Sequence, residues 1–246
     1  MSSTPETAAP RSLPFRLAHL WLGAALLVTL LGFTPGYFLR LGEATWFQHM
    51  HGMSATLWMV LLVMQPWLAT HGRLRQHRRN GLIGLIVGGM VIGTALAVLP
   101  FNIEGAVSGD SSPVAPPTFL YGVTLFDLVA ISGFAISLIM AMLKVRQVED
   151  HAMWMISTVF WVLLPGLARF IAFALLFTVG IGELTLVDIV TWTGWAVMAL
   201  LLGIMIRLRK AHPALILALI GNASALLVRP LGDNEAWRAF CQAIFT

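Results

Sequence analysis

Residues 71–81 read HGRLRQHRRNG, and this stretch with four arginines and two histidines stands between two long apolar runs. A short, strongly basic connection between stretches of about 20 apolar residues is how a membrane hairpin is held on one side of a bilayer. That reading decides the fold class and leaves a second question open. His71 and His77 are either ligands or interfacial residues in a basic loop.

Composition answers the first part. Of the 246 residues, 58% are hydrophobic and only 11% are charged, where a soluble domain carries roughly 25% charged residues. With a mean hydropathy of +0.84, lipid must be the solvent for much of the surface. The chain reads as an all-α, polytopic transmembrane helix bundle. A single cysteine, Cys241, excludes an internal disulfide framework and any cysteine-based metal site. The net charge of +4 sits in short loops beside apolar spans, so it points to topology rather than to nucleic acid.

Seven apolar segments succeed one another at about 17–38, 48–70, 81–100, 118–143, 152–178, 186–206 and 213–228. The last is the shortest, with Asn222 in mid-span, and six spans plus a re-entrant piece is the alternative. Residues 1–16, with three prolines, read as a disordered polar tail, and 17–38 as a retained helix rather than a cleaved signal. Arginine and lysine in short loops set the orientation. Arg11 and Arg16, the four arginines of 71–81, Lys144 with Arg146, and Arg207, Arg209 and Lys210 all fall on the side of the N-terminus. That side is therefore expected to be the cytoplasm, and the membrane the cell's inner membrane. The connection NIEGAVSGDSSPVAPP (102–117) is expected outside as a Gly/Ser/Pro-rich loop. Residues 233–246 put Trp237, Phe240, Ile244 and Phe245 on one helical face, as an interfacial helix on the outer leaflet would.

Ionisable residues inside the bilayer carry the functional signal, because each is costly unless paired or hydrated. Asp127 and Arg169 sit at matching depth, roughly 13 Å below the outer surface at 1.5 Å per residue, and are expected to pair. In span two, His51, Ser54, Trp58 and Gln65 fall on one face, whereas His71 lies about 160° from His51 at 100° per residue. In span five, His151 and Arg169 are five whole turns apart, with Trp154 and Thr158 close to the same line. The buried polar network expected is Asp127, Arg169, Gln65 and Trp154. Ser54 beside His51 reads as a packing pair, and no Ser, His and Asp share a depth, which argues against a serine hydrolase.

His77 and His151 both lie at the cytoplasmic end, and on neighbouring helices they would face each other. Two neutral imidazoles at one level are what a six-coordinate b-type haem requires. Another metal would need further ligands, for which only Glu149 and Asp150 are near. A proton relay or a structural role is the plain alternative.

The order His51, Gln65, Arg73-x-Arg75, His77-Arg78 with Gly81, then His151-x-x-Trp154-Met155 and Arg169, resembles a family of uncharacterised bacterial membrane proteins. That family is known mainly as a predicted membrane domain of unknown function, and the resemblance covers about residues 49–171. It implies a helical membrane fold and importance for His51, His77, His151 and Arg169, but no activity. The chain departs from it after His151, where Ala152 and Ile156-Ser157 stand in place of basic residues. A looser likeness to four-helix b-type cytochromes rests on architecture alone. Three functions are expectations on these grounds. The first is a haem-binding redox or haem-handling protein using His77, His151 and His51. The second is a transporter or channel-like protein using Asp127 and Arg169. The third is a structural or assembly partner of a membrane complex.

Overall fold

The computed structural model describes residues 15–109, 115–180 and 182–246. The tail expected over 1–16 therefore lies outside the described residues but for its last two. Among the described residues every regular element is helical. The chain forms α1 (Ala18–Phe33), α2 (Trp46–Thr70), α3 (Leu74–Ser108), α4 (Pro117–Leu143), α5 (Val148–Ser157), α6 (Val159–Thr178), α7 (Leu186–Leu208), α8 (Pro213–Asn222), α9 (Val228–Gly232) and α10 (Glu235–Phe245). Short 3₁₀ segments, Phe38–Glu43 and Ala223–Leu227, join α1 to α2 and α8 to α9.

Six rods are long and apolar enough to cross a membrane: α2, α3, α4, α5 with α6, α7, and α8 with α9. The chain is a multi-pass membrane protein. The short member is the first helix rather than the seventh. Pro35 and Gly36 stop α1 after 16 residues, or about 24 Å. The segment expected to end at 228 instead runs apolar and helical from Pro213 to Gly232.

The ends of the helices are specified locally. Thr45 caps α2 and Gln48 bonds back to the Thr45 N–H, a reciprocal capping box. Thr185 and Asp188 do the same for α7. Pro117 and Pro213 occupy first-turn positions, where a missing N–H costs nothing.

The basic stretch 71–81 is not a loop. Gly72, at φ +73°, makes the whole turn possible, and from Leu74 onward the residues are already helical. His77 is therefore on α3, not before it. The outer connection is likewise shorter than 102–117 suggests. α3 continues through Ser108, and 110–114 lie outside the described residues. The cause is apolar periodicity beyond the span: Ile103 and Ala106 bury beneath Cys241 and Trp237 of α10. Trp237 and Phe245 thus pack inward, while Phe240 and Ile244 stay exposed. The single face expected for these four residues is split between protein and surroundings.

The helices close a ring in the order α1, α2, α3, α4, α8 with α9, α7, α6 and back to α1. Glycines set how closely they approach. Within lipid, apolar side chains gain little by leaving their surroundings, so packing at small residues holds helices together. Gly32 of α1 meets Gly166 of α6 backbone to backbone, and Gly122 of α4 approaches the α9 backbone in the same way at Val228. The buried Trp161 ring lies between Gly133 of α4 and Gly221 of α8, where a Cβ on either would collide with the indole. Its Nε1–H donates to Ser137 Oγ at 3.0 Å.

Gly133→Leu and Gly221→Leu are each expected to lower the thermal midpoint of purified protein in detergent, or to prevent folding, because overpacking costs about 1–3 kcal/mol or more. Gly203→Leu, on α7 with nothing within 4 Å of an added Cβ, is expected to leave the midpoint within a few degrees. Equal losses in all three variants would refute the glycine-notch account.

Candidate functional site

Two polar sites lie at opposite ends of the ring.

The larger is a cavity of about 540 Å³ between α1, α2, α3, α4, α6 and α7, closed on one side by the Phe38–Ala44 segment. Its walls are mainly apolar, and Asp127, Arg169 and His51 bring charge and polarity to it. Arg169 donates from Nη1 to the Pro165 carbonyl at 3.1 Å and stacks over the Phe33 ring at 4.6 Å. Its side chain is otherwise open to the cavity. Asp127 has no hydrogen-bond or ion-pair partner among the described residues. The direct Asp127–Arg169 pair expected from depth is absent, since no ion pair joins them within 4.0 Å. Rise along a helix fixes depth but not direction, and the two groups line the same space without meeting. The chemical result is a guanidinium and a carboxyl group on the walls of one mainly apolar chamber, beyond ion-pair distance of each other.

His51 is oriented by α3. Its Nδ1 lies 3.3 Å from Thr94 Oγ1, and Thr94 gives its own hydrogen to the Met90 carbonyl at 2.6 Å. Thr94 therefore accepts, His51 carries its proton on Nδ1, and Nε2 is left as an acceptor. Ser54 donates to the His51 carbonyl at 3.1 Å and lies 3.2 Å from Thr94 Oγ1, the role of a packing pair. At the rim, the Tyr37 hydroxyl sits 2.9 Å from His49 Nδ1 and fixes the 34–44 segment onto α2. Burial raises the Tyr37 pKa above its ordinary value.

The second site lies at the basic end, where the α2–α3, α4–α5 and α7–α8 turns come together. His77 and His151 face each other, with ring centroids 6.4 Å apart and planes at 84°. His77 Nδ1 lies 3.3 Å from the Gln65 carbonyl, and His151 Nδ1 lies 2.8 Å from the Ala141 carbonyl. A carbonyl can only accept, so both imidazoles carry hydrogen on Nδ1 and offer Nε2 as a lone pair. Gln65 also donates from Nε2 to the His77 carbonyl at 3.1 Å. Its Oε1 is buried without a partner. His71 instead turns back on its own helix, 2.8 Å from the Trp67 carbonyl, and belongs to neither site.

Trp154 does not join Asp127, Arg169 and Gln65 in one network. It packs against Ala141 and Ala214 and meets the His212 ring at 5.9 Å. The reason is distance along the span: Trp154 stands fifteen residues before Arg169, about 22 Å at 1.5 Å per residue. Ser157 and Thr158 donate to the carbonyls three residues back, at 2.8 and 2.7 Å, and Thr158 alone marks the break between α5 and α6. Thr158 at that break accepts a hydrogen bond from Trp58 Nε1 at 3.1 Å, joining α2 to the kink.

His212 belongs to none of the residue patterns that the sequence brings forward. It is buried, caps α8 by accepting from the Ala214 N–H at 3.1 Å, and places Nε2 3.3 Å from Asp150. Pro213 directly after it is the sequence signal for a helix start there. Beside it, Lys210 and Glu149 pair at 2.7 Å on the surface. Among the described residues no three His, Cys, Asp or Glu side chains gather as a metal cluster.

No known protein family, curated protein or solved structure matches the chain.

A double-mutant cycle on Trp58→Phe and Thr158→Val is expected to show a coupling of about 1 kcal/mol, the worth of one buried hydrogen bond, in thermal or denaturant unfolding. Strict additivity would mean that the mid-span link carries no energy.

Proposed function

We propose that this multi-pass membrane protein binds, and passes across the bilayer, a small zwitterion with an apolar body. The single observation behind this reading is the arrangement of Arg169 and Asp127. They open into one 540 Å³ cavity and share no ion pair. Opposite charges left apart at membrane depth are held by water or by a bridging ligand, and such residues mark substrate pathways. Arg169 is suited to a carboxylate, Asp127 to an ammonium, the apolar walls to a hydrocarbon side chain, and His51 Nε2 to a donor. A site of this size, mainly apolar with a few convergent polar groups, is the common form of a small-molecule pocket. The rim residues Arg40 and Glu43, both exposed, place its mouth at the end opposite the basic turns. With those turns in the cytoplasm of the cell's inner membrane, as arginine placement favours, the cavity faces outward. Kinship with the uncharacterised family that shares the His51, Gln65, His77-Arg78, His151 and Arg169 spacing belongs to the same proposal.

Radiolabelled apolar amino acids, leucine first, are the probes. Purified protein is expected to bind leucine, and Asp127→Asn and Arg169→Gln are each expected to weaken binding at least tenfold, about 1.4 kcal/mol. Both variants should keep the parent's elution profile. No binding across the apolar amino acids, or equal binding by both variants, rejects the proposal.

A second reading has its own observation. The two Nε2 lone pairs of His77 and His151, on rings anchored through Nδ1, suit axial ligation of haem b or the holding of a shared proton. Haem-supplemented expression with oxidised and reduced visible spectra tests it. A Soret band lost in His77→Ala and in His151→Ala supports haem, and no Soret band in the parent rejects it. A role as a subunit of a larger membrane complex is the third reading and is compatible with either site.

A further inference from the structure

We infer that the outward face of α3 is a binding site for one anionic phospholipid, with its headgroup on Arg75 and Arg79 and an acyl chain along Leu82, Ile86 and Gly93.

At 100° per residue these five positions lie within about 40° of one line along the helix. All five are exposed, so the line faces away from the bundle. The charged part of the line has no counter-charge of its own. No carboxylate pairs with Arg75 or Arg79 among the described residues. The first turn of α3 contains no acidic residue. The nearby Arg73 is already engaged, stacked over the Trp67 ring at 4.9 Å.

The apolar part begins one turn further on and continues without a polar interruption on this line. Leu82 is 66% and Ile86 69% exposed, and an added Cβ on Gly93 would meet nothing within 4 Å. From Leu82 to Gly93 the helix rises about 16 Å at 1.5 Å per residue, the depth of one leaflet of a roughly 30 Å hydrocarbon core. Two guanidinium groups at headgroup level above a leaflet-deep apolar line match the charge and length of an anionic lipid. Guanidinium forks bind phosphate oxygens in bidentate fashion. A neutral zwitterionic lipid would leave the pair of positive charges unbalanced.

The experiment measures the thermal midpoint of delipidated full-length protein in neutral detergent, with added phosphatidylglycerol, phosphatidylcholine or inorganic phosphate. Phosphatidylglycerol is expected to raise the midpoint by several degrees, as a ligand that binds only the folded state must, and the other two to leave it in place. Arg75→Gln/Arg79→Gln is expected to lose most of that rise while keeping the parent's midpoint in detergent alone. Lys144→Gln/Arg146→Gln, which removes equal charge at the same end, is expected to keep the rise. Gly93→Trp, which obstructs the line without touching its charge, is expected to reduce the rise and serves as the decisive variant if the double arginine variant does not fold. An equal rise with phosphatidylcholine, reproduction by inorganic phosphate alone, or a full rise in both Arg75→Gln/Arg79→Gln and Gly93→Trp would each overturn the site. So would native mass spectrometry showing a doubled mass in the absence of lipid, since a second copy of the chain would then occupy the face.

Discussion

The ring of helices depends on one tryptophan. Trp161 fits between Gly133 on α4 and Gly221 on α8, and its indole donates to Ser137. Because lipid gives helices little hydrophobic reason to associate, this interlocking of a large ring with two small residues sets the spacing that apolar burial would set in water. Its position also fixes the rest of α6. Arg169 stands eight residues further on, about 12 Å along the axis, so seating Trp161 delivers the guanidinium to the cavity. Trp161 itself lines that cavity. Packing and site are thus specified by the same helix, and an error in the first propagates to the second.

The polar groups inside the bundle are economical. Most hydroxyls on the helices donate to carbonyls three or four residues back, which satisfies them without reaching another helix. Few cross between helices within the span, among them Trp58 to Thr158 and the Thr94 group with His51 and Ser54. Against that background the lone acceptors stand out. The Nε2 atoms of His77 and His151, Gln65 Oε1 and the Asp127 carboxylate have no donor among the described residues. The first three cluster at the basic end and the last lines the cavity. Asn222 Oδ1 and His19 Nδ1 are also buried without a partner and belong to neither site, so the unused hydrogen-bonding capacity is only partly gathered where a ligand would use it.

How much of this could be read in the sequence depended on the kind of signal. The all-α class and the multi-pass bundle derive from apolar length, which the bilayer thickness makes a strong constraint, whereas the expected seven full spans become six with a short first helix. Depth was also legible, and it is why His77 and His151 could be named together before any contact was known. Azimuth was not. The Asp127–Arg169 pair rests on matching depth alone, and the Trp154 network fails on rise along the span, with fifteen residues between Trp154 and Arg169. The glycine contacts show a further limit. Gly88 packs against Leu138 and Trp58 while Gly89, one residue on, meets nothing. Which of them works is decided by partners far away in sequence. His212 is marked in the sequence only by Pro213 after it, since proline suits a first helical turn while histidine is not a favoured cap.

The C-terminal helix has a practical property. Its Cys241 is wholly buried against α3 and α4, and burial raises its thiol pKa above the ordinary value. It is also the chain's one cysteine. Thiolate is the reactive form, so alkylation must wait for α10 to lift from α3 and α4. The wild-type protein thus carries its own reporter at a single position. The rate at which a maleimide labels it counts the opening of that end of the bundle, without any residue being added or removed.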